Sequence, residues 1–98
     1  MQYEDLHHRY GTHVSQRVKR ELTPSEFNQV SIDNLPSWLE ARADAAHETY
    51  RHLLSNPLAV SNKDQMRAGE ACRRWRAAED LAYLVVIAED VSAAVRVG

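Results

Sequence analysis

The sequence predicts an all-α protein, a small bundle of three to four helices centred on a C-terminal helical hairpin, about residues 36–55 and 62–97. Apolar residues recur at spacings of three and four along the chain, which is helical periodicity. The segment from Tyr83 to Ile87 is rich in β-forming residues, but no other stretch could pair with it as a strand, so it is predicted as helix too. Ninety-eight residues are enough for one domain, residues 1–98.

The first helical segment runs from about Tyr3 to Leu22. The apolar residues that share one face of it are Tyr3, Leu6, Tyr10, Val14 and Val18. Gly11 destabilises a helix by about 1 kcal/mol relative to alanine, so we expect a bend or a break at that residue.

The clearest helix boundary in the chain is Thr23-Pro24-Ser25-Glu26. Threonine can cap the first turn, proline fits the first helical position, and glutamate can bond back to the backbone of the cap. A short helix should follow, from Pro24 to about Val30, with Phe27 and Val30 facing the core. It is too short to be stable without packing against the rest of the chain.

The third segment, Leu35 to Ser55, has the most regular periodicity. Its apolar seam consists of Leu35, Leu39, Ala43, Ala46, Tyr50 and Leu53. The small alanines in the middle of the seam should let a second helix approach closely. Asn56-Pro57 should end this helix, because the residue before a proline avoids the α conformation.

The last segment is predicted to start after a cap at Ser61 and to continue as helix from Asn62 to Val97. A continuous helix of that length would measure about 54 Å, whereas a compact chain of this size has a radius of gyration of about 13 Å. Either the helix breaks or another chain covers the part that extends beyond the bundle. We place the break at about Gly69, and a homodimer is the alternative.

Charge and composition exclude several classes of protein. The formal net charge of −2 gives no global field that would draw the chain onto nucleic acid or an anionic membrane. The single cysteine, Cys72, excludes an intramolecular disulfide and fits a reducing compartment. The longest apolar run, residues 81–88, is far shorter than the roughly 20 residues that span a bilayer. With no secretory signal at the amino terminus, we expect a cytoplasmic protein without membrane contact.

No catalytic or metal-binding motif stands out. Asp44 and His47 have the spacing of a helical metal pair, but the last segment supplies no histidine to complete a site. Cys72 has no histidine beside it, and three glycines in the whole chain exclude a glycine-rich phosphate loop. We therefore expect no metal, no cofactor and no enzymatic activity.

A cluster of arginines around a tryptophan is the best candidate for a binding site. The predicted partner-binding residues are Arg67, Arg73, Arg74, Trp75 and Arg76. Arginine and tryptophan are enriched at the energetic centres of protein interfaces. The competing interpretation is a solvated face of intrahelical ion pairs, Glu70 with Arg74 and Arg76 with Glu79 or Asp80.

A second basic cluster offers an alternative anion-binding site. It consists of Arg17, Lys19 and Arg20, near the end of the first helix. A bias of basic residues toward a helix C-terminus explains the same pattern without any ligand.

Two functional classes follow. The first is a small non-enzymatic protein–protein interaction module, an adaptor, inhibitor or regulatory subunit that covers the surface of a protein partner of unknown identity. The alternative is a binder of nucleotide, another anionic ligand or nucleic acid, which would use the arginines together with aromatic residues such as Tyr10, Tyr50 or Trp75.

Overall fold

A computed structural model describes residues 1–55 and 62–97, with side chains described for residues 1–55 and 63–91. The described residues form four α-helices and contain no strand. The helices are α1 (Tyr3–Glu21), α2 (Pro24–Gln29), α3 (Leu35–Leu54) and α4 (Asn62–Val97), and a short 3₁₀ turn (Ile32–Asn34) precedes α3. The prediction of a small all-α bundle is confirmed. The predicted turn at residues 56–61, including the cap at Ser61, lies outside the described residues.

Local signals position the first two helices as expected. Gly11 interrupts α1 with φ 84° and ψ 178°, a backbone conformation that only glycine adopts readily. After the interruption, the buried hydroxyl of Ser15 donates to the carbonyl oxygen of Gly11 at 2.6 Å. The capping box of α2 is complete: Thr23 Oγ1 accepts from the Glu26 amide, and Glu26 Oε1 accepts from the Thr23 amide. The prediction of both features is confirmed.

The hairpin of α3 and α4 is the centre of the fold. Small alanines on both sides of the seam, Ala43 on α3 and Ala78 and Ala82 on α4, are buried and allow the two helices to approach closely. The hairpin gives the molecule an elongated shape of 55 × 27 × 19 Å, with a radius of gyration of 16.1 Å.

The prediction of a break at Gly69 is wrong. The helix α4 runs without interruption from Asn62 to Val97. Gly69 lies between good helix formers, such as Ala68 and Glu70, and its cost of about 1 kcal/mol is too small to end a helix that they support. The second alternative, in which another chain covers the extended helix, stays a prediction.

The hydrophobic core lies at one end of the hairpin, which we call the proximal end. There α1 and α2 pack against the first half of α3 and the second half of α4. The core residues are Leu6, Tyr10, Val14, Val18, Leu22, Val30, Leu35, Leu39, Leu81, Ala82 and Val85. The polar links of α1 and α2 to the hairpin reach Arg42 on α3 and Asp80 on α4. We call the remainder, residues 46–55 and 63–75, the distal end.

Candidate functional site

The predicted arginines lie on the distal half of α4 and face different directions. Arg67 and Arg74 line one groove between α3 and α4. Arg76 lines a separate depression beside Tyr83 on the outer side of α4. Arg73 is exposed between them. The structure therefore brings Arg67 and Arg74 together but separates them from Arg76.

Trp75, predicted as part of the partner-binding cluster, packs against α3. Its ring lies 4.5 Å from that of His47 and 5.7 Å from that of Tyr50, and the tyrosine ring is stacked with an interplanar angle of 17°. Both partners come from α3, three residues apart and thus on one side of that helix. The indole is half-buried and helps to hold the distal end of the hairpin together. The signal was present in the sequence, as aromatic residues at facing positions of two adjacent helices.

The intrahelical ion pairs expected on α4 are not formed. Among residues 63–91, Glu70 does not pair with Arg74, nor does Arg76 pair with Glu79 or Asp80. Asp80 binds Arg17 of α1 instead, at 2.8 Å.

The arginines of α4 differ in their ion pairing from those at the proximal end. Arg9 pairs with Asp33 and Glu89, and Arg42 pairs with Glu26. The arginines of α4 whose side chains are described, in contrast, are exposed and take part in no ion pair among the described side chains: Arg67, Arg73, Arg74 and Arg76. Their charges are therefore available to a ligand or partner.

Arg67 and Arg74 border what we call the basic groove, about 290 Å³ in volume. Its other lining residues are Ala46, Thr49, Leu53, Glu70 and Ala71. The floor is apolar, from the alanines and Leu53. The rim carries two positive charges and one negative charge.

The basic groove continues the side of the hairpin that α1 and α2 cover at the proximal end. Ala46 lies four residues after Arg42, which bonds to Glu26 of α2, so both lie on one side of α3. Arg74 lies seven residues before the core residue Leu81, again on one side of α4. The groove is thus the place where a further helix could extend the packing of α1.

A second groove lies on the other flank of the α3–α4 seam, with a volume of about 500 Å³. We call it the acidic groove. Apolar lining residues are Ala43, Trp75, Ala82, Tyr83 and Val86, and polar ones are Glu40, Asp44, His47 and Glu79. Its three carboxylates form no ion pair with the described side chains. Periodicity could not reveal this groove, because it combines charged residues from two helices.

The alternative anion-binding residues are not arranged as one site. Arg17 is held by Asp80 at 2.8 Å and by Glu21 at 3.4 Å. The hydrogen bond with Asp80 raises the pKa of the Arg17 guanidinium. The ammonium group of Lys19 lies 4.9 Å from the centre of the Tyr3 ring, a cation–π contact. Arg20 is exposed. Its side chain forms no ion pair and no cation–π contact with the described residues.

The residues considered for metal binding or catalysis do not assemble into a site. No group of three or more His, Cys, Asp or Glu side chains that could hold a metal ion occurs in the described parts of the chain. The ring of His47 packs against that of Trp75, and Cys72 is a half-buried free thiol.

Comparisons with models of protein families, with curated proteins and with solved structures found no match to this chain.

Over the described residues, none of the helices combines the length and the apolar character needed to cross a lipid bilayer.

Proposed function

We propose that the chain is a non-enzymatic interaction module that binds a protein partner through the basic groove at the distal end of its hairpin. The observation that carries the proposal is the position of Arg67 and Arg74. Both are exposed, neither takes part in an ion pair among the described side chains, and together they border an apolar groove beyond the last contacts of α1 and α2.

The apolar floor of the groove favours a helical protein segment as the ligand. A helix placed there would bury the half-exposed Ala46 and Leu53 beside the buried Ala71 and would extend the packing of the proximal end. Its acidic residues would pair with Arg67 and Arg74. Arginine suits this role because its planar guanidinium can bind a carboxylate through two hydrogen bonds.

A protein ligand fits the groove better than nucleic acid does. Glu70 lies between the two arginines along α4, and a carboxylate there would repel a phosphate backbone. The formal net charge of −2 also opposes non-specific binding to a polyanion. A cytoplasmic adaptor, inhibitor or regulatory subunit is consistent with these features and with the single free cysteine, Cys72.

The test compares the native chain with the double variant Arg67→Glu plus Arg74→Glu. Both side chains are exposed, so helical content should be unchanged by circular dichroism. The proteins captured from a cell lysate are identified by mass spectrometry, and the affinity of the recovered partner is then measured. We expect charge reversal to weaken binding at least about tenfold, which corresponds to about 1.4 kcal/mol.

The matched control is Arg20→Glu, which reverses an exposed charge on α1 that does not line the basic groove. It should bind the partner like the native chain. Recovery of only nucleotides or RNA with the native protein, with affinity that falls steeply as salt is added, would replace the protein-partner proposal by the anion-binding alternative. Equal loss of binding in the control and in the double variant would contradict the assignment to the basic groove.

A further inference from the structure

The outer face of α4 exposes a row of large apolar residues, which begins at Tyr83 on the edge of the acidic groove. Tyr83, Ile87 and Val91 follow one another at intervals of four and are 65%, 40% and 58% exposed. Residues spaced by four lie on one side of a helix. The opposite side of α4, which includes Ala78 and Val85, is buried in the fold. A contiguous apolar row on the surface of a small protein is typical of an interaction site.

Two opposite charges lie on this face at equal distances from Tyr83. Arg76 precedes it by seven residues and Asp90 follows it by seven residues, about 10.5 Å in each direction along the helix. Both side chains are exposed, and neither forms an ion pair within the described part of the chain. Because seven residues make nearly two turns, all three side chains point to the same side.

We propose that the outer face of α4 binds a second copy of this chain, with the two α4 helices antiparallel and Tyr83 on the two-fold axis. In this register Arg76 lies opposite Asp90 of the partner subunit, and the symmetry repeats the pair on the other side of the axis. The two tyrosine rings pack at the centre. The aliphatic part of the arginine side chain covers the neighbouring apolar surface at Ile87.

Charge complementarity selects the occupant and its direction. A second copy supplies both an acid for Arg76 and a base for Asp90, at matching distances from the central tyrosine. A parallel pair of α4 helices would instead place like charges opposite each other, which is unfavourable. The outer face of α4 does not use Arg67 or Arg74, so it is separate from the basic groove.

Charge exchange tests the register. Sedimentation velocity from about 1 to about 200 µM would give the dissociation constant of the dimer. We expect Arg76→Asp alone, or Asp90→Arg alone, to raise that constant at least about tenfold, because each places like charges opposite each other at two symmetric positions. The double variant Arg76→Asp plus Asp90→Arg should recover an affinity within about threefold of the native chain, since the pairs are restored with reversed polarity. Arg20→Asp is the control and should leave the constant unchanged.

A cross-link provides an independent readout of the axis. In a chain carrying Cys72→Ser, Tyr83→Cys places one thiol of each copy at the two-fold axis, where mild oxidation should join them by a disulfide. Arg20→Cys in the same background should give no such product at equal protein concentration. A monomer at every concentration tested would overturn the proposal, as would a dimer whose affinity does not respond to the single charge reversals or is not restored by the double exchange.

Discussion

The hydroxyl group of Tyr10 donates a 2.5 Å hydrogen bond to Oε1 of Glu89, which joins α1 to α4 across seventy-nine positions of the chain. Arg9 donates to the same carboxylate oxygen at 3.3 Å and to Asp33 at 2.9 Å. Tyr10 is buried among the core residues, and this burial, together with the bond to Glu89, raises the pKa of its hydroxyl. This link fixes α1 on the proximal end and so determines where the uncovered part of the hairpin begins.

Removal of the Tyr10 hydroxyl should destabilise the fold. In Tyr10→Phe the ring still fills its place in the core, but the interhelical hydrogen bond to a carboxylate is lost. We expect the free energy of unfolding to fall by about 1 to 2 kcal/mol, measured by urea denaturation. Tyr83→Phe is the matched control: this tyrosine is exposed, so the same change should alter stability by less than about 0.5 kcal/mol.

The native chain and Tyr10→Phe should also differ in how their free energies of unfolding change in alkaline solution. The folded state holds the Tyr10 hydroxyl protonated because its pKa is raised above the ordinary value of 10.0. Its contribution to stability is therefore complete below about pH 10 and is lost as the pH rises toward the folded-state pKa. Relative to Tyr10→Phe, the native chain should lose stability faster above pH 10. Parallel curves for the two proteins would show that the hydroxyl is not held in its neutral form.

Replacing glycine by alanine should have opposite effects on stability in α1 and in α4. At Gly11 a side chain would meet no atom within 4 Å, but the positive φ of 84° is strained for any L-residue. Gly11→Ala should therefore destabilise the fold by about 1 to 3 kcal/mol. Gly69 lies in regular helix with open space around it, so Gly69→Ala should stabilise it by about 0.5 to 1 kcal/mol. Thermal unfolding of both variants checks the signs, and a stabilising Gly11→Ala would mean that α1 continues straight through residue 11.

The capping box of α2 should make the free energy of unfolding depend on pH in the acidic range. The Thr23 amide donates to Glu26, and Arg42 lies 3.3 Å from the same carboxylate, so the pKa of Glu26 is lowered from its ordinary value of 4.5. A lowered folded-state pKa means that this stabilisation is present above pH 4.5 and is lost as the pH falls through the folded value. Glu26→Gln should cost about 1 kcal/mol at neutral pH and should reduce the loss of stability in acid.

The control for that substitution is Glu48→Gln. Glu48 contacts Arg51 at 3.5 Å, but both side chains are more than half exposed, and exposed pairs of this kind contribute little to stability. Its unfolding curves should follow those of the native chain at neutral and acidic pH. If Glu26→Gln also follows them, the capping box has no measurable charge contribution.

The helices and their ends could be predicted because their signals are local. The capping box at Thr23, the interruption at Gly11 and the seam from Leu35 depend on residues within a few positions of one another. The expected size of a compact chain does not predict the continuity of α4 at Gly69, because the elongated hairpin accommodates a helix as long as the molecule.

The candidate site was less predictable because it depends on how helices pack. Periodicity indicates which face of a helix is buried, but it does not tell on which flank of the hairpin an exposed residue lies. Helical spacing places Arg74 and Arg76, two residues apart, on different sides of α4, but it does not tell which of them borders a groove with α3. Sequence spacing offers Asp80 a partner on its own helix, yet Arg17 reaches it from α1, a contact set by the packing of two segments far apart in sequence.

The alanines in the α3–α4 seam also affect how firmly the distal end is held. Burial of each CH₂ group is worth about 0.8 kcal/mol, and seven residues along each helix from the core residues Leu39 and Leu81 the distal half has Ala46 and the exposed Arg74. Its amide hydrogens should therefore exchange through local opening at a lower free energy than those of the core. A ligand in the basic groove would supply apolar contacts that this half lacks. Ligand binding and the local ordering of the hairpin are then a single coupled equilibrium.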